Sequence, residues 1–326
     1  MKKNSKRILL LVILITYFIL CFINSKNISI EVYKYTLLFV KNVFPSTFIF
    51  LLLSYLLFNY NLLFFISKIF KRKDICFYIF SIFSGFPGGV LFLKESLDKG
   101  TITISEANKM VLYTHFPNPL FLLFHTSILF GNKKTSYVFY GIILLSQALI
   151  LLFSRCKNSF NYVQDREIPF SKNLTNCSLK AIKVIFNIYV TSIFFYLISF
   201  LLNKYFSFTT ISYVLISGIF DLTNGVLSTS LITNNCLKGI FLLLFFVFGS
   251  IPIHIQIKSI LSDTSISYSS FLKGRIISFV LSFSNWIIYC CLTWRIRFWC
   301  WEWSLLVYTT CLIIYWSNNI YCIFST

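Results

Sequence analysis

Asp221 and the three histidines, His115, His125 and His254, are the side chains best suited to chemistry in this chain. Each lies in a long apolar segment that glycine or proline interrupts. The interruptions are Ser84-Gly85-Phe86-Pro87-Gly88-Gly89, His115-Phe116-Pro117-Asn118-Pro119, Ser217 to Gly225 and Gly249 to Gln256. An ionisable group at membrane depth costs about 2.5–3.5 kcal/mol on insertion scales and by default marks a functional site. Asp221 also reads as a helix cap on its own turn, because Asp-Leu-Thr-Asn-Gly is turn chemistry, and the two roles are compatible. His115 and His254 have a plainer reading, each bonding backbone groups left open by Pro117 or Pro252. His125 is the least suggestive, ten residues beyond His115 in an apolar run.

The interruptions have a mechanism of their own. An interior glycine weakens a helix by about 1 kcal/mol and an interior proline by about 3. In lipid the freed backbone groups must be met by protein or line a wet cavity. A break also opens a new helix start, whose free N–H groups and partial positive charge attract carboxylates. The candidate binding residues are therefore Ser84, Gly85, Pro87, Gly88 and Gly89 in the first break and His115, Pro117, Asn118 and Pro119 in the second. The third contributes Asp221, Thr223, Asn224 and Gly225, and the fourth Ser250, His254 and Gln256. No nucleophile–base pair appears, and the ten cysteines include no CxxC pair. Neither an enzyme, a metal site, a disulfide framework nor a cofactor is expected. A proton or sodium ion is the candidate coupling ion.

The elements that must hold these residues are membrane helices. Of the 326 residues, 57% are hydrophobic, the mean hydropathy is +0.78, and many segments reach the roughly 20 apolar residues that span a bilayer. The expectation is an all-α polytopic membrane protein whose partners are the lipid bilayer and a small-molecule solute. The net charge of +19 is scattered between apolar spans, which suits orientation-setting loops rather than nucleic acid. Residues 1–42 read as an uncleaved transmembrane helix and an interfacial segment, 43–154 as a first repeat and 155–183 as a cytoplasmic linker. A second repeat follows over 184–292, then a transmembrane tail over 293–326. All six tryptophans lie at Trp286 or later and read as an interfacial belt.

The two repeats share an order of parts: intact helix, glycine-broken segment, proline-broken segment, intact helix. With 75–93 and 208–236 as re-entrant hairpins from opposite sides, the halves are inverted copies, and broken segments in corresponding positions point to a transporter binding site. This arrangement puts 20 of the 29 Lys and Arg on the cytoplasmic side, in keeping with the positive-inside rule.

The series SGFPGG, HFPNPLF, SGIFDLTNG and FGSIPIHIQIKSIL with SYSSFLKGR resembles the bacterial sporulation integral membrane protein family (YlbJ-like), over about Phe44 to Arg275. Members carry nucleoside-recognition, or gate, domains similar to the core of concentrative nucleoside transporters, with two re-entrant hairpins and two broken helices. The resemblance implies a bacterial inner-membrane transporter of a small aromatic or heterocyclic anion. In spore formers the implied cargo is dipicolinate, moved across the outer forespore membrane. Two departures bear on the cargo. Asp221 stands where the family usually has a glutamate, and His115-Phe116 precedes Pro117-Asn118-Pro119 in place of an asparagine-rich turn. The rivals are a nucleoside or nucleobase carrier, and a non-transporting membrane factor that recruits partners through loops 94–109 and 155–183.

Overall fold

The computed structural model describes residues 2–154, 156 and 169–294. Residues 155 and 157–168 of the linker expected at 155–183, and nearly all of the tail expected at 293–326, lie outside the described residues. Those described form helices and connecting turns: α1 (Lys2–Ile23), α2 (Ser25–Leu38), α3 (Phe44–Asn59), α4 (Leu62–Phe70), α5 (Lys73–Asp98), α6 (Ile104–Met110) and α7 (Pro119–Phe130). After these come α8 (Lys133–Phe153), α9 (Phe170–Tyr205), α10 (Thr210–Phe220), α11 (Leu222–Ser228), α12 (Asn235–Leu243), α13 (Ile251–Ser262) and α14 (Tyr268–Trp294). Among the described residues, seven helical stretches are long and apolar enough to cross a membrane, which makes this a multi-pass membrane protein.

All four interruptions break their helices, in two different ways. In α5 the chain leaves helical geometry at Gly85 (φ 61°, ψ −175°) and Phe86, before a cis peptide to Pro87. Only glycine takes that φ without strain. The two arms then fold back on each other. The Phe80 and Phe92 ring centroids are 4.8 Å apart, where twelve residues of unbroken helix would separate them by about 18 Å. Lys73 Nζ, at the start of one arm, donates to Thr101 O just beyond the other at 2.8 Å. Helices α10 and α11 form a second hairpin, turning at an extended Asp221 (φ −150°, ψ 125°). There a β-carbon on Gly225 would sit 2.1 Å from Gly218 Cα, so the arms touch through their glycines.

The other two interruptions separate successive helices, α6 from α7 and α12 from α13, the second pair within one candidate span, Asn235–Ser262. Thr103 opens α6 with a reciprocal capping box to Glu106. After α6 the chain is irregular through His115, Phe116 and Pro117 until α7 begins at Pro119. Helix α12 continues through a π-helical turn, Leu244–Phe248, then breaks at Gly249 (φ 98°) before α13.

Long-range contacts fix which end of the molecule each segment reaches. One end gathers Lys94 with Asp263 (3.1 Å), Lys180 with Glu95 (3.0 Å), and the Ser267 amide on Asn108 Oδ1 (2.8 Å). There too the Cys156 amide, after α8, donates to Asp74 Oδ2 at 3.0 Å. The neighbouring Lys94 ammonium holds the exposed Asp263 carboxyl below its ordinary pKa. The opposite end holds Asn24 with Tyr205 (2.7 Å), Lys238 Nζ on Leu129 O (2.8 Å) and Trp286 Nε1 on Cys236 O (3.0 Å). Hairpin α5 therefore opens at the first end, and the α10–α11 hairpin at the second. The α6–α7 stretch runs from the first end to the second, and α12–α13 runs back.

Several expectations are corrected. Residues 25–42 do not form a separate interfacial helix. They run through a π-helical turn, Phe39–Val43, into α3, and 25–59 is one candidate span whose Tyr35 and Phe39 are in the core. The charges that suggested an interface are used locally: Lys34 pairs with Glu31 at 2.7 Å. Residues 170–183, given to the linker, are the opening turns of α9. Arg275 is wholly buried within α14. Trp286 is a core residue rather than part of a belt, and its ring occupies the space where Gly239 would carry a side chain. Cys236 and Cys290 are free thiols.

Candidate functional site

The four interruptions meet at one cavity of about 70 Å³. Phe86 comes from the first hairpin tip, and His115, Pro117 and Asn118 from the α6–α7 break. Asp221, Leu222 and Thr223 come from the second hairpin tip, and Ser250, Ile253 and Gln256 from the α12–α13 break. Both π-helical turns also reach it, through Phe39 and Val43 on one side and Phe246 on the other. Helix α9 closes it with Ile188 and Ser192, and α3 adds Thr47. Pockets that enclose drug-sized ligands run to about 300–1,000 Å³, so this one is contracted, with room for a few waters or one small group. None of its lining residues is Lys or Arg.

Asp221 does both things its sequence context allowed. It is almost fully buried (1% exposed) and lines the cavity. Its Oδ2 accepts from the Asn224 amide at 2.7 Å, capping α11, and its Oδ1 accepts from Tyr35 Oη at 2.8 Å. The Tyr35 ring lies against Tyr196 with centroids 4.6 Å apart, and Tyr196 Oη donates to Glu31 Oε2 at 2.6 Å. Glu31 in turn lines a second hollow of about 450 Å³ with Asn27, Lys34, Asn203 and Lys204. Nothing in the sequence links Tyr35 to a residue 186 positions away.

The histidines separate. His254 is fully used by its own break: Nε2 bonds Phe248 O at 3.0 Å and Nδ1 meets Tyr268 Oη at 2.8 Å. The second bond fits Nδ1 as acceptor when Nε2 carries the proton. It is the plainer role, answering a carbonyl freed by the interruption, and His254 does not line the cavity. His125 packs against Phe121 and Phe124, away from the cavity. His115 does line it. Its ring sits between Phe86 and Phe271 at 5.1 and 5.6 Å, and its Nδ1 has no hydrogen-bond partner in the protein.

Arg275 is the residue that sequence reasoning missed. Its Nη1 donates to His115 O (3.1 Å) and Val247 O (3.4 Å), and its Nη2 to Leu112 O (3.0 Å). One guanidinium thus binds carbonyls freed by both broken helices. Helix C-terminal carbonyls carry partial negative charge, which offsets the cost of burying this cation. Gly274 lets α14 come close enough, because a β-carbon there would lie 2.1 Å from Leu112 O. Gln147 Nε2 supports the same His115 carbonyl at 3.1 Å.

Of the other expected site residues, the glycines face protein rather than the cavity. A β-carbon on Gly89 would lie 2.1 Å from Thr114 O, one on Gly88 2.8 Å from Ser84 Cβ, and one on Gly85 3.3 Å from Asn118 Cα. Gly225 meets Gly218, as described above. Gly85, Gly89 and Gly225 are approached closely by backbone and Gly88 by the Ser84 side chain. Ser84, Pro87, Pro119 and Asn224 shape the turns and helix starts without lining the cavity.

Three polar residues at the cavity are left open. Ser250 Oγ, His115 Nδ1 and both amide atoms of Gln256 are shielded from solvent and have no partner within the protein. Buried polar groups in native proteins are nearly always bonded, and an exception points to a bound water, an ion or a functional role. No family model, curated protein or solved structure matches the chain.

Proposed function

We propose that this protein is a transporter of a small polar solute, bound where the two hairpin tips and the two broken helices converge. The observation that carries the reading is the cavity itself. It is drawn from all four interruptions, and it keeps several polar groups without protein partners. The opposite entry of the two hairpins, and the opposite running of the two broken helices, support an inverted repeat like the core of concentrative nucleoside transporters. Residues 43–154 and 184–292 are then its two gate-like halves. With the basic end of the molecule cytoplasmic, the α5 hairpin enters from inside and the α10–α11 hairpin from outside.

The cargo class rests on the sequence motifs: a small aromatic or heterocyclic anion, dipicolinate-like, carried across a bacterial cell membrane or an outer forespore membrane. Asp221 is the coupling site in this reading. A carboxylate solute would avoid an ionised Asp221, since two like charges about 4 Å apart repel by about 4 kcal/mol at an effective dielectric of 20. A proton or sodium ion held by Asp221 relieves that. A second reading, a nucleoside or nucleobase carrier, is favoured by one feature: the open Gln256 amide offers a donor and an acceptor side by side. Uptake of dipicolinate and of uridine into proteoliposomes tests the function. Accumulation of either above protein-free vesicles supports a transporter. Accumulation of neither favours a membrane factor that acts through its loops.

A further inference from the structure

Three helix starts line the cavity, and they are not equivalent. At α7, Asn118 Oδ1 accepts from the Leu120 and Phe121 amides at 3.0 and 3.2 Å. At α11, Asp221 Oδ2 accepts from the Asn224 amide at 2.7 Å, so a carboxyl group of the chain already caps that helix start. At α13, Ser250 stands in N-cap position with extended backbone (φ −88°, ψ 165°), but no side chain caps the helix. Its Oγ, on a residue only 1% exposed, bonds nothing in the protein. Two of the three positive ends are thus answered from within, and the third is open.

Other unpartnered polar groups line the same cavity. Position 252 is proline, so the first-turn amide hydrogens belong to Ile251 and Ile253. Gln256 is on the same helix one turn further on, lines the same cavity and has both amide atoms unpartnered. His115, 2% exposed, brings an unpartnered Nδ1 from the other broken helix. Amide hydrogens, a hydroxyl, a carboxamide and an imidazole around an uncapped twelve-residue helix form a site for an oxyanion. With no Lys or Arg in the lining, the helix start is the positive pole of the cavity and Asp221 the negative one.

We propose that the N-terminus of α13, with Ser250, Gln256 and His115, is a carboxylate subsite. The carboxylate of a solute would supply the cap that Ser250 withholds. This rests on the cavity being a solute site, and it singles out one helix start where the sequence suggested four equivalent ones. The contracted volume suits a single carboxylate group at this point, with the rest of the solute admitted by movement of the hairpin tips.

The test is binding to the purified full chain, by calorimetry at fixed pH, of three probes: dipicolinate, its neutral diamide, and uridine. Ser250→Asp builds the missing cap into the chain, as Asp221 does for α11. Dipicolinate is expected to bind wild type, and to bind Ser250→Asp at least tenfold more weakly, while the variant melts no lower than wild type. A structural role alone would not weaken binding while keeping the fold. If Ser250→Asp does not fold, Ser250→Ala combined with Gln256→Leu is expected to weaken dipicolinate tenfold. Unchanged dipicolinate binding in the folded variant overturns the subsite. Binding of the diamide or uridine to wild type without dipicolinate also overturns it, while leaving the transporter reading intact. Failure of all three probes to bind contradicts both.

Discussion

At the tip of the first hairpin the chain turns on Gly85, at positive φ, and presents only the Phe86 ring to the cavity. At the tip of the second it turns on Asp221, with ordinary extended backbone, and presents a carboxylate. Backbone freedom does the turning in one and a capping side chain does it in the other. The first tip is therefore sensitive to any added side chain and carries no charge. The second accepts a side chain at its turn and places a carboxyl group at the cavity. Two hairpins entering from opposite ends thus divide shape and charge between them.

The largest effect that would break this contrast is steric. Gly225→Leu and Gly89→Leu each force a side chain into backbone 2.1 Å away, and neither variant should yield monodisperse protein on size exclusion. Gly88→Ala meets only the Ser84 side chain, at 2.8 Å, and should cost about 1–3 kcal/mol in a denaturation assay. A Gly225→Leu protein that folds and transports normally would show that the second hairpin does not pack through its glycines.

Next is Arg275→Met. It leaves Leu112 O and Val247 O without their guanidinium donor, and it should destabilise the protein on the order of 3 kcal/mol, measured as a lowered melting temperature. If Arg275→Met melts like wild type, the two broken helices do not depend on a shared cation. Asp221→Asn sharpens the charge half of the comparison. Asparagine caps a helix about as well as aspartate, so the melting temperature should stay within a few degrees. Solute binding should be kept or tightened, and dependence on a proton or sodium gradient lost. Loss of binding with coupling intact would instead move Asp221 into direct solute contact. Smallest of all is Lys94→Ala, which removes an exposed pair with Asp263. Exposed pairs contribute little, and neither melting nor uptake should change.

The four interruptions were legible in the sequence because glycine and proline clustered inside an apolar helix weaken it enough to break it. Their order also matches the two chain reversals, at Gly85 and Asp221, and the two breaks between α6 and α7 and between α12 and α13. What the glycines touch was not legible: Gly88 and Gly225 need close approach, and only coordinates show that protein, not solute, makes it. Residues 25–42 misled because Lys26, Glu31, Lys34 and Lys41 mimic an interfacial face, while the decisive contact, Tyr35 to Asp221, spans 186 positions. Arg275 was hidden for a related reason. Its partners are backbone carbonyls, which leave no trace in residue types. His254 resembled a site residue because it sits in a break, and it serves that break alone.

The central claim is that the two hairpins enter from opposite sides of the membrane and meet at one cavity. Single cysteines at positions 71, 99, 134 and 233, all exposed, on a cysteine-free background, test it most directly with a membrane-impermeant maleimide. Labelling of 134 and 233 is expected in intact cells, with 71 and 99 labelled only after the cytoplasmic face is opened. Labelling of 233 from the same side as 71 would contradict opposite entry of the hairpins.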